Sequence, residues 1–249
     1  MYAEVIGDPI AHSKSPAIHR FWLAKLGLEA GYEATRVTDL AAYFAARCRD
    51  PGWRGCNVTA PHKLAVIPFL DEASPIGAVN CIVPADGRLT GLNTDVDGIV
   101  EAVAGADCSK VVLIGNGGAA KAARRALADA GELVNVTRQN IENAALIAGA
   151  TLIVNATPLG MAHAGPMPAV LLAALPSAAP DAIVLDMVYE PLDTPLLQAA
   201  RAAGLRSVDG LAMLIGQARR AFRLFFGAEP PSEHDAELRH LLSEGTSQV

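Results

Sequence analysis

The feature that most constrains this chain is a glycine-rich run, Gly115-Asn116-Gly117-Gly118-Ala119-Ala120, placed directly behind the apolar stretch Lys110–Ile114 and ahead of a segment rich in Ala and Arg. This is G-x-G-x-x-A in a strand–turn–helix setting. The first glycine permits a tight turn, the second lets backbone approach a pyrophosphate, and the small last position lets helix and strand pack closely. Alone, the run also suits an ordinary glycine turn between a strand and a helix.

Further strand candidates follow at residues 133–136, 151–155 and 182–186, separated by helical patterns, as a parallel sheet reads in sequence. The second of these strands ends Val136-Thr137-Arg138-Gln139, with no Asp or Glu to pair with a free ribose 2′-hydroxyl. Arg138 can pair instead with a 2′-phosphate, which favours NADP; a solvated surface arginine fits the same residue. Only residues 139–150 separate this strand from the next. A single crossover with its helix takes about 10–12 residues, so the interval has room for one short helix, near 141–148, and not for a further strand. The expectation is therefore a sheet of about five parallel strands in the order 2-1-3-4-5, lacking the outer strand of the 3-2-1-4-5-6 arrangement. Asn140, Glu142 and Asn143 follow Arg138 where a second basic residue would help a 2′-phosphate, so a weak but still NADP-leaning site is expected.

The first third alternates β-type runs (3–6, 33–37, 55–59, 78–83) with helical stretches (16–26, 40–48), again an α/β pattern. Ser15-Pro16 suits an N-cap and first helical residue, a position that favours anions. A boundary near residue 97 divides the chain into residues 1–97 and 98–210. From Leu211 a helix through Met213, Phe222 and Phe225 runs past Pro230-Pro231 into a more polar helix, and residues 211–249 are expected to pack back on the first module, with 244–249 frayed.

With 51% hydrophobic residues among 249, the chain can bury one large core or two small ones. The net charge of −6 and the lack of a Lys/Arg run argue against nucleic acid. Neither a basic leader nor an uninterrupted membrane-length apolar stretch is visible, so a cytoplasmic protein away from the membrane is expected. Cys48, Cys56, Cys81 and Cys108 have no CxxC spacing or nearby paired histidines, which points to reduced thiols and no metal. Monomer and homodimer both remain open.

Asn57-Val58-Thr59-Ala60-Pro61-His62-Lys63 puts polar side chains at a strand end and a lysine at the start of a helix. A lysine near a carboxylate such as Asp95 can exchange a proton with a substrate hydroxyl while hydride leaves the same carbon. By spacing alone, Lys63 reads first as an exposed lysine.

These stretches, together with Gly7-Asp8-Pro9-Ile10, His12-Ser13-Lys14-Ser15-Pro16, Gly77-Ala78-Val79-Asn80, Asn93-Thr94-Asp95, Asn155-Ala156-Thr157-Pro158-Leu159-Gly160-Met161, Asp186-Met187-Val188-Tyr189 and Gly210-Leu211-Ala212-Met213-Leu214 with Gln217, resemble in order the signature blocks of the shikimate dehydrogenase family. The resemblance covers nearly the whole chain. It implies an N-terminal α/β substrate domain and a Rossmann-like doubly wound domain, with NADP between them. It also implies reversible reduction of 3-dehydroshikimate to shikimate, with Lys63 and Asp95 as the catalytic pair. Ser13, Ser15 and Tyr189 would bind the substrate carboxylate; Thr59, Asn80 and Gln217 the ring hydroxyls. Gly115, Asn116, Gly117, Gly118, Ala119, Thr137, Arg138 and Thr157 would hold the cofactor, and Met187 and Gly210 line its nicotinamide. His12, His19 and His62 take no proton-transfer role. Arg20, Cys81, Val96 and Asn116 depart from the family's usual Asn, Thr, Gly and Ala, and the stretch from Leu70 to Gly77 is short. A quinate dehydrogenase, or a non-catalytic shikimate-binding descendant, would share these blocks.

Overall fold

The computed structural model describes residues 1–161 and 163–244; residues 245–249, most of the stretch expected to fray, lie outside the described residues. The chain divides into two compact units, Met1–Thr94 with the segment from Gln217 onward, and Asp95–Gly216.

The first unit is built on a six-stranded sheet of β1 (Tyr2–Gly7), β2 (Gly31–Arg36), β3 (Trp53–Val58), β4 (Glu72–Ala73), β5 (Cys81–Ala85) and β6 (Arg88–Leu92), in the order β2-β1-β3-β5-β6-β4. β1 runs parallel to β2 and β3, as the crossover helices α1 (Ser15–Lys25) and α2 (Leu40–Arg47) require. Asp39 caps α2, its carboxylate accepting the Ala42 N–H at 3.0 Å. A single turn, α3 (His62–Ala65), follows β3.

Two expectations need correcting. The sheet is not an alternating α/β array throughout, because β5 is antiparallel to both β3 and β6. Asp86 and Gly87, both at positive φ, close the β5–β6 hairpin, and that Asp-Gly pair was the legible sign of it. Ser15 is the first residue of α1 rather than its N-cap; Lys14 occupies the N-cap position, where its side chain makes no capping hydrogen bond. The Ser13 hydroxyl accepts the Ser15 N–H at 3.3 Å, a local turn that draws Ser15 into the helix.

In the second unit, α4 (Asp95–Ala102), β7 (Lys110–Ile114), α5 (Gly118–Ala126), β8 (Glu132–Val136), β9 (Leu152–Asn155), α6 (Ala169–Ala174), β10 (Ile183–Asp186), α7 (Pro195–Ala202) and β11 (Arg206–Val208) lead to α8 (Gly210–Phe226). All strand pairs are parallel, in the order β11-β10-β9-β7-β8. Counted from β7, this is the expected 2-1-3-4-5. Between β8 and β9 the one short helix expected near 141–148 is a 3-10 segment, Ala144–Ile147, flanked by turns. Asn143 starts the segment by accepting the Ala145 N–H, and Gly149 at positive φ lies just past its end, so too few residues remain for a longer helix. Val111, Leu113, Val154 and Leu185 pack in one layer with α5, and Val112, Ile114, Ile153 and Val184 in the opposite layer with α6 and α7. Burial on both faces is why these strands read as unbroken apolar runs.

The chain passes from the first unit to the second at Thr94–Asp95, where α4 begins, and back at Gly216–Gln217, inside the continuous helix α8: Met213 joins the second unit's core, and from Gln217 the helix belongs to the first. There Phe222 and Phe225 meet His19, which stacks face to face on Tyr32 at 3.9 Å. The last helix, α9 (Asp235–Glu244), is tied to α1 by Lys25–Glu237 at 2.6 Å, while Lys14 Nζ donates to the Leu242 carbonyl at 2.9 Å. Among the described residues no helix is long and apolar enough to cross a membrane.

Candidate active site

Neighbouring strand ends bring the polar residues of the first unit together. Thr59 leaves β3 with its N–H on the Ile6 carbonyl at 3.0 Å. A Cβ added to Gly7, at the end of β1, would lie 2.6 Å from the Thr59 methyl, so only glycine allows this approach. Three residues on, the His62 N–H returns to the Thr59 carbonyl at 2.9 Å and starts α3, which carries half-buried Lys63. The His62 ring is buried against the Val37 carbonyl at 2.8 Å, a structural role.

Asn80, also buried, is the hub. Its carbonyl takes the Val58 N–H at 2.8 Å and the Asn57 Nδ2 at 3.2 Å. Its side-chain Oδ1 accepts the Thr94 N–H at 2.7 Å, and its Nδ2 donates to the Thr94 hydroxyl at 3.1 Å. That hydroxyl donates onward to Gln217 Oε1 at 3.3 Å. In the other direction the fully buried Tyr32 phenol donates to Asn57 Oδ1 at 2.6 Å, and the Ser15 hydroxyl bonds the Tyr32 oxygen. One hydrogen-bonded thread therefore runs Ser13–Ser15–Tyr32–Asn57–Asn80–Thr94–Gln217. Lys63 and Asp95 flank it: the Lys63 carbonyl accepts the Val79 N–H at 2.9 Å, one residue before Asn80, and Asp95 is the residue after Thr94. Burial pushes the Tyr32 phenol well above its ordinary range, so it remains a neutral donor. Tyr32 has no motif to announce it; Asn57 and Thr94 lie inside quoted blocks but carried no assigned role.

In the second unit the loops after β7, β9 and β10 hold the remaining candidates. Gly115 has φ 126°, and a Cβ there would lie 3.0 Å from the Ala156 carbonyl. Gly117 is different: it is extended, at φ −82° and ψ −165°, and an added Cβ would meet nothing within 4 Å. The fold therefore demands glycine at 115 but leaves open space at 117. Gly118 and Ala119 begin α5. Thr157 is locked by Asn155, whose Oδ1 accepts both its N–H at 3.0 Å and its hydroxyl at 2.6 Å. Asn155 Nδ2 in turn reaches buried Asp186 at 2.9 Å, which also accepts from Val188 N and the Thr194 hydroxyl. Gly210 begins α8 against the turn after β10, where a Cβ would lie 2.5 Å from the Met187 carbonyl. Tyr189 follows, half-buried, its phenol pKa raised by burial.

At the end of β8 the Thr137 N–H bonds Asn140 Oδ1 at 2.7 Å, and Asn140 Nδ2 bonds the Asn135 carbonyl at 3.0 Å. Arg138 stands exposed in that turn. From α5, Arg124 Nη2 donates to Asn116 Oδ1 at 2.7 Å and Asn135 Oδ1 at 2.8 Å.

Residues 5–82 match the shikimate dehydrogenase substrate binding domain, and residues 210–236 match the shikimate 5'-dehydrogenase C-terminal domain. The NADP(+) shikimate dehydrogenase of Sphingopyxis alaskensis is 48% identical, over 97% of this chain and 96% of that protein. The chain belongs to the shikimate dehydrogenase family. Among solved members, shikimate 5-dehydrogenase from Thermus thermophilus, in complex with NADP(H) and shikimate, is 35% identical with a TM-score of 0.84, over 97% of this chain and 99% of that one. Quinate dehydrogenase from Corynebacterium glutamicum, in complex with NAD, is 33% identical with a TM-score of 0.82, over 97% and 99%. The alignment with the Sphingopyxis shikimate dehydrogenase spans 268 positions against 249 residues here, so that relative carries residues this chain lacks. The departures from the family's usual residues have local partners. Arg20 Nε bonds the Tyr32 carbonyl at 2.7 Å, Cys81 lies buried opposite Asn57 in the β3–β5 pairing, Val96 packs on the second unit's core, and Asn116 holds Arg124.

Proposed function

We propose that this chain is an NADP-dependent shikimate dehydrogenase that reversibly reduces 3-dehydroshikimate to shikimate. The observation that carries the reading is the thread from Ser13 to Gln217, which gathers on one hydrogen-bonded framework Ser13, Ser15, Asn80 and Gln217, four of the five first-unit residues that the family resemblance assigns to substrate. In this reading the first unit binds the substrate and the second binds NADP. Ser13 and Ser15, with Tyr189, hold the carboxylate, and Thr59, Asn80 and Gln217 the ring hydroxyls. Lys63 delivers a proton to the ketone oxygen during reduction and takes it back during oxidation, with Asp95 as its carboxylate partner.

The glycine loop fits the cofactor. Gly115 is fixed by the fold, and the open space beside Gly117 suits a pyrophosphate laid on the backbone at the start of α5. NADPH, when bound, supplies the hydride. Thr157, Met187 and Gly210 line the site from the loops after β9 and β10, and Arg138 stands where a 2′-phosphate can be met. The four cysteines are all free thiols, which supports a reducing, cytoplasmic setting.

Likeness to the Corynebacterium quinate dehydrogenase keeps one rival. Quinate carries an extra hydroxyl on the carbon bearing the carboxylate, and a site built to pair that group discriminates strongly. Measuring kcat/KM for shikimate and quinate, each with NADP and NAD, is the test. The highest value is expected for shikimate with NADP. A higher value for quinate transfers the assignment to the rival, and shikimate binding without turnover with either cofactor makes the chain a binding protein.

A further inference from the structure

Between β8 and β9 the second unit has only turns and one 3-10 segment, where a full Rossmann half has a helix and a further strand, and Arg138 is followed by Asn140, Glu142 and Asn143 rather than by another cation. A cation does reach this corner from another element. Arg124, in the seventh position of α5, carries its guanidinium to the mouth of the glycine loop and to β8, donating through Nη2 to Asn116 Oδ1 at 2.7 Å and to Asn135 Oδ1 at 2.8 Å. It is half-buried, and its Nε and Nη1 groups have no hydrogen-bond partner among the described residues. Asn135 is also the anchor of the turn that carries Arg138, since its carbonyl accepts Asn140 Nδ2 and Asn140 Oδ1 accepts the Thr137 N–H. The two arginines are thus set from one residue, Arg124 through the side chain of Asn135 and Arg138 through its backbone.

This corner lies between the turn after the first strand and the end of the second, where the ribose of a dinucleotide is read. We propose that Arg124 is a specificity-determining residue that joins Arg138 in receiving the 2′-phosphate of NADP, replacing a cation absent from the shortened 139–150 segment. A guanidinium whose one nitrogen is held by two side-chain amides keeps its remaining N–H groups aimed, and a fork of this kind suits a phosphate. The amides are neutral, so they fix the group without cancelling its charge. Asn116 thereby acquires a purpose in positioning Arg124.

The inference rests on the NADP reading above, and a binding experiment separates the two. Titrate the full chain, as wild type, Arg124→Gln, Arg124→Lys and Arg138→Gln, with 2′,5′-ADP and with 5′-AMP, which lacks the 2′-phosphate, and measure KM for NADPH and NADH alongside. Arg124→Gln is expected to weaken 2′,5′-ADP by roughly ten- to a hundredfold, as for loss of a charged hydrogen bond. It should leave 5′-AMP and the NADH KM within about twofold, and the lysine variant should recover part of the loss. Equal weakening of both nucleotides would make Arg124 a structural brace of the loop and overturn the proposal. So would an unchanged 2′,5′-ADP affinity, or a wild type that does not prefer 2′,5′-ADP to 5′-AMP. If the wild type binds 2′,5′-ADP selectively yet does not turn over with NADPH, the assigned reaction falls while the role of Arg124 stands.

Discussion

The two units build their candidate sites from different material. In the first, the site is made of side chains: Ser15, Asn57, Asn80, Thr94 and Gln217 are buried, and each is held by another polar group. In the second, it is largely a shape taken by backbone, with Gly115 fixed by the Ala156 carbonyl, Gly210 by the Met187 carbonyl, and open space at Gly117. The difference is physical. Recognising ring hydroxyls and moving a proton requires specific donors and acceptors, whereas a pyrophosphate is met by N–H groups that any residue supplies once the chain can come close. Substitutions should therefore separate the two functions cleanly.

The largest effect is expected at Lys63. Its backbone carbonyl holds Val79 whatever the side chain, so Lys63→Ala should fold normally. It should lower kcat by roughly a hundredfold or more, the scale of losing a positioned acid–base group, with KM for both substrates little changed. Steady-state rates with shikimate and NADP measure this, and near-normal turnover would remove Lys63 from the chemistry.

Next comes a pair of glycines in one loop. Gly117→Val introduces a side chain where no protein atom lies within 4 Å, at an extended backbone that valine adopts readily. Tm should hold while KM for the dinucleotide rises by roughly tenfold or more, the cost of blocking one close backbone approach. Gly115→Ala should do the reverse, since φ 126° and the Ala156 carbonyl at 3.0 Å penalise folding itself by about 1–3 kcal/mol. If Gly117→Val unfolds the protein, or leaves cofactor binding untouched, the open space there is not a nucleotide cradle.

The same contrast explains what the sequence made legible. Parallel strands buried on both faces announce themselves as apolar runs, and counting residues between β8 and β9 was enough to anticipate the five-stranded order. The mixed sheet was less readable: β6 is short and half-polar, and only Asp86-Gly87 marked its hairpin. Spacing could not bring Lys63, Asn80, Thr94 and Gln217 together, because their contacts are tertiary; family resemblance identified most of these residues, and the Thr94 bridge needed coordinates. Tyr32 and Arg124 were missed for a related reason. Each is placed by side-chain bonds to residues on other elements, which leave no periodicity behind.

The smallest effect concerns acid, and it also divides the units. Every buried side-chain nitrogen or oxygen without a partner among the described residues lies in the first unit: both ring nitrogens of His19, the indole nitrogens of Trp22 and Trp53, and one oxygen of Asp235. Burial among aromatic rings lowers the His19 pKa from 6.5 to about 3. The unfolded chain therefore takes the proton first as pH falls, so the stability contribution is complete above about 6.5 and declines through the window down to about 3. At 1.36 kcal/mol per unit, going from pH 7 to pH 5 should cost the first unit about 2 kcal/mol. Asp186 in the second unit responds oppositely, since burial raises its carboxyl pKa and its protonation favours the folded state. Both tryptophans, Trp22 and Trp53, are in the first unit, so their fluorescence during urea unfolding reports that unit, while amide exchange along Lys110–Ile114 reports the other. Fluorescence should lose stability toward pH 5 ahead of the β7 amides. His19→Phe, which keeps a flat ring against Tyr32 without orphaned nitrogens, should flatten that slope to within about 0.5 kcal/mol. An unaltered slope in the variant would mean that the acid response of the first unit arises elsewhere, and that His19 reaches water or a partner when charged.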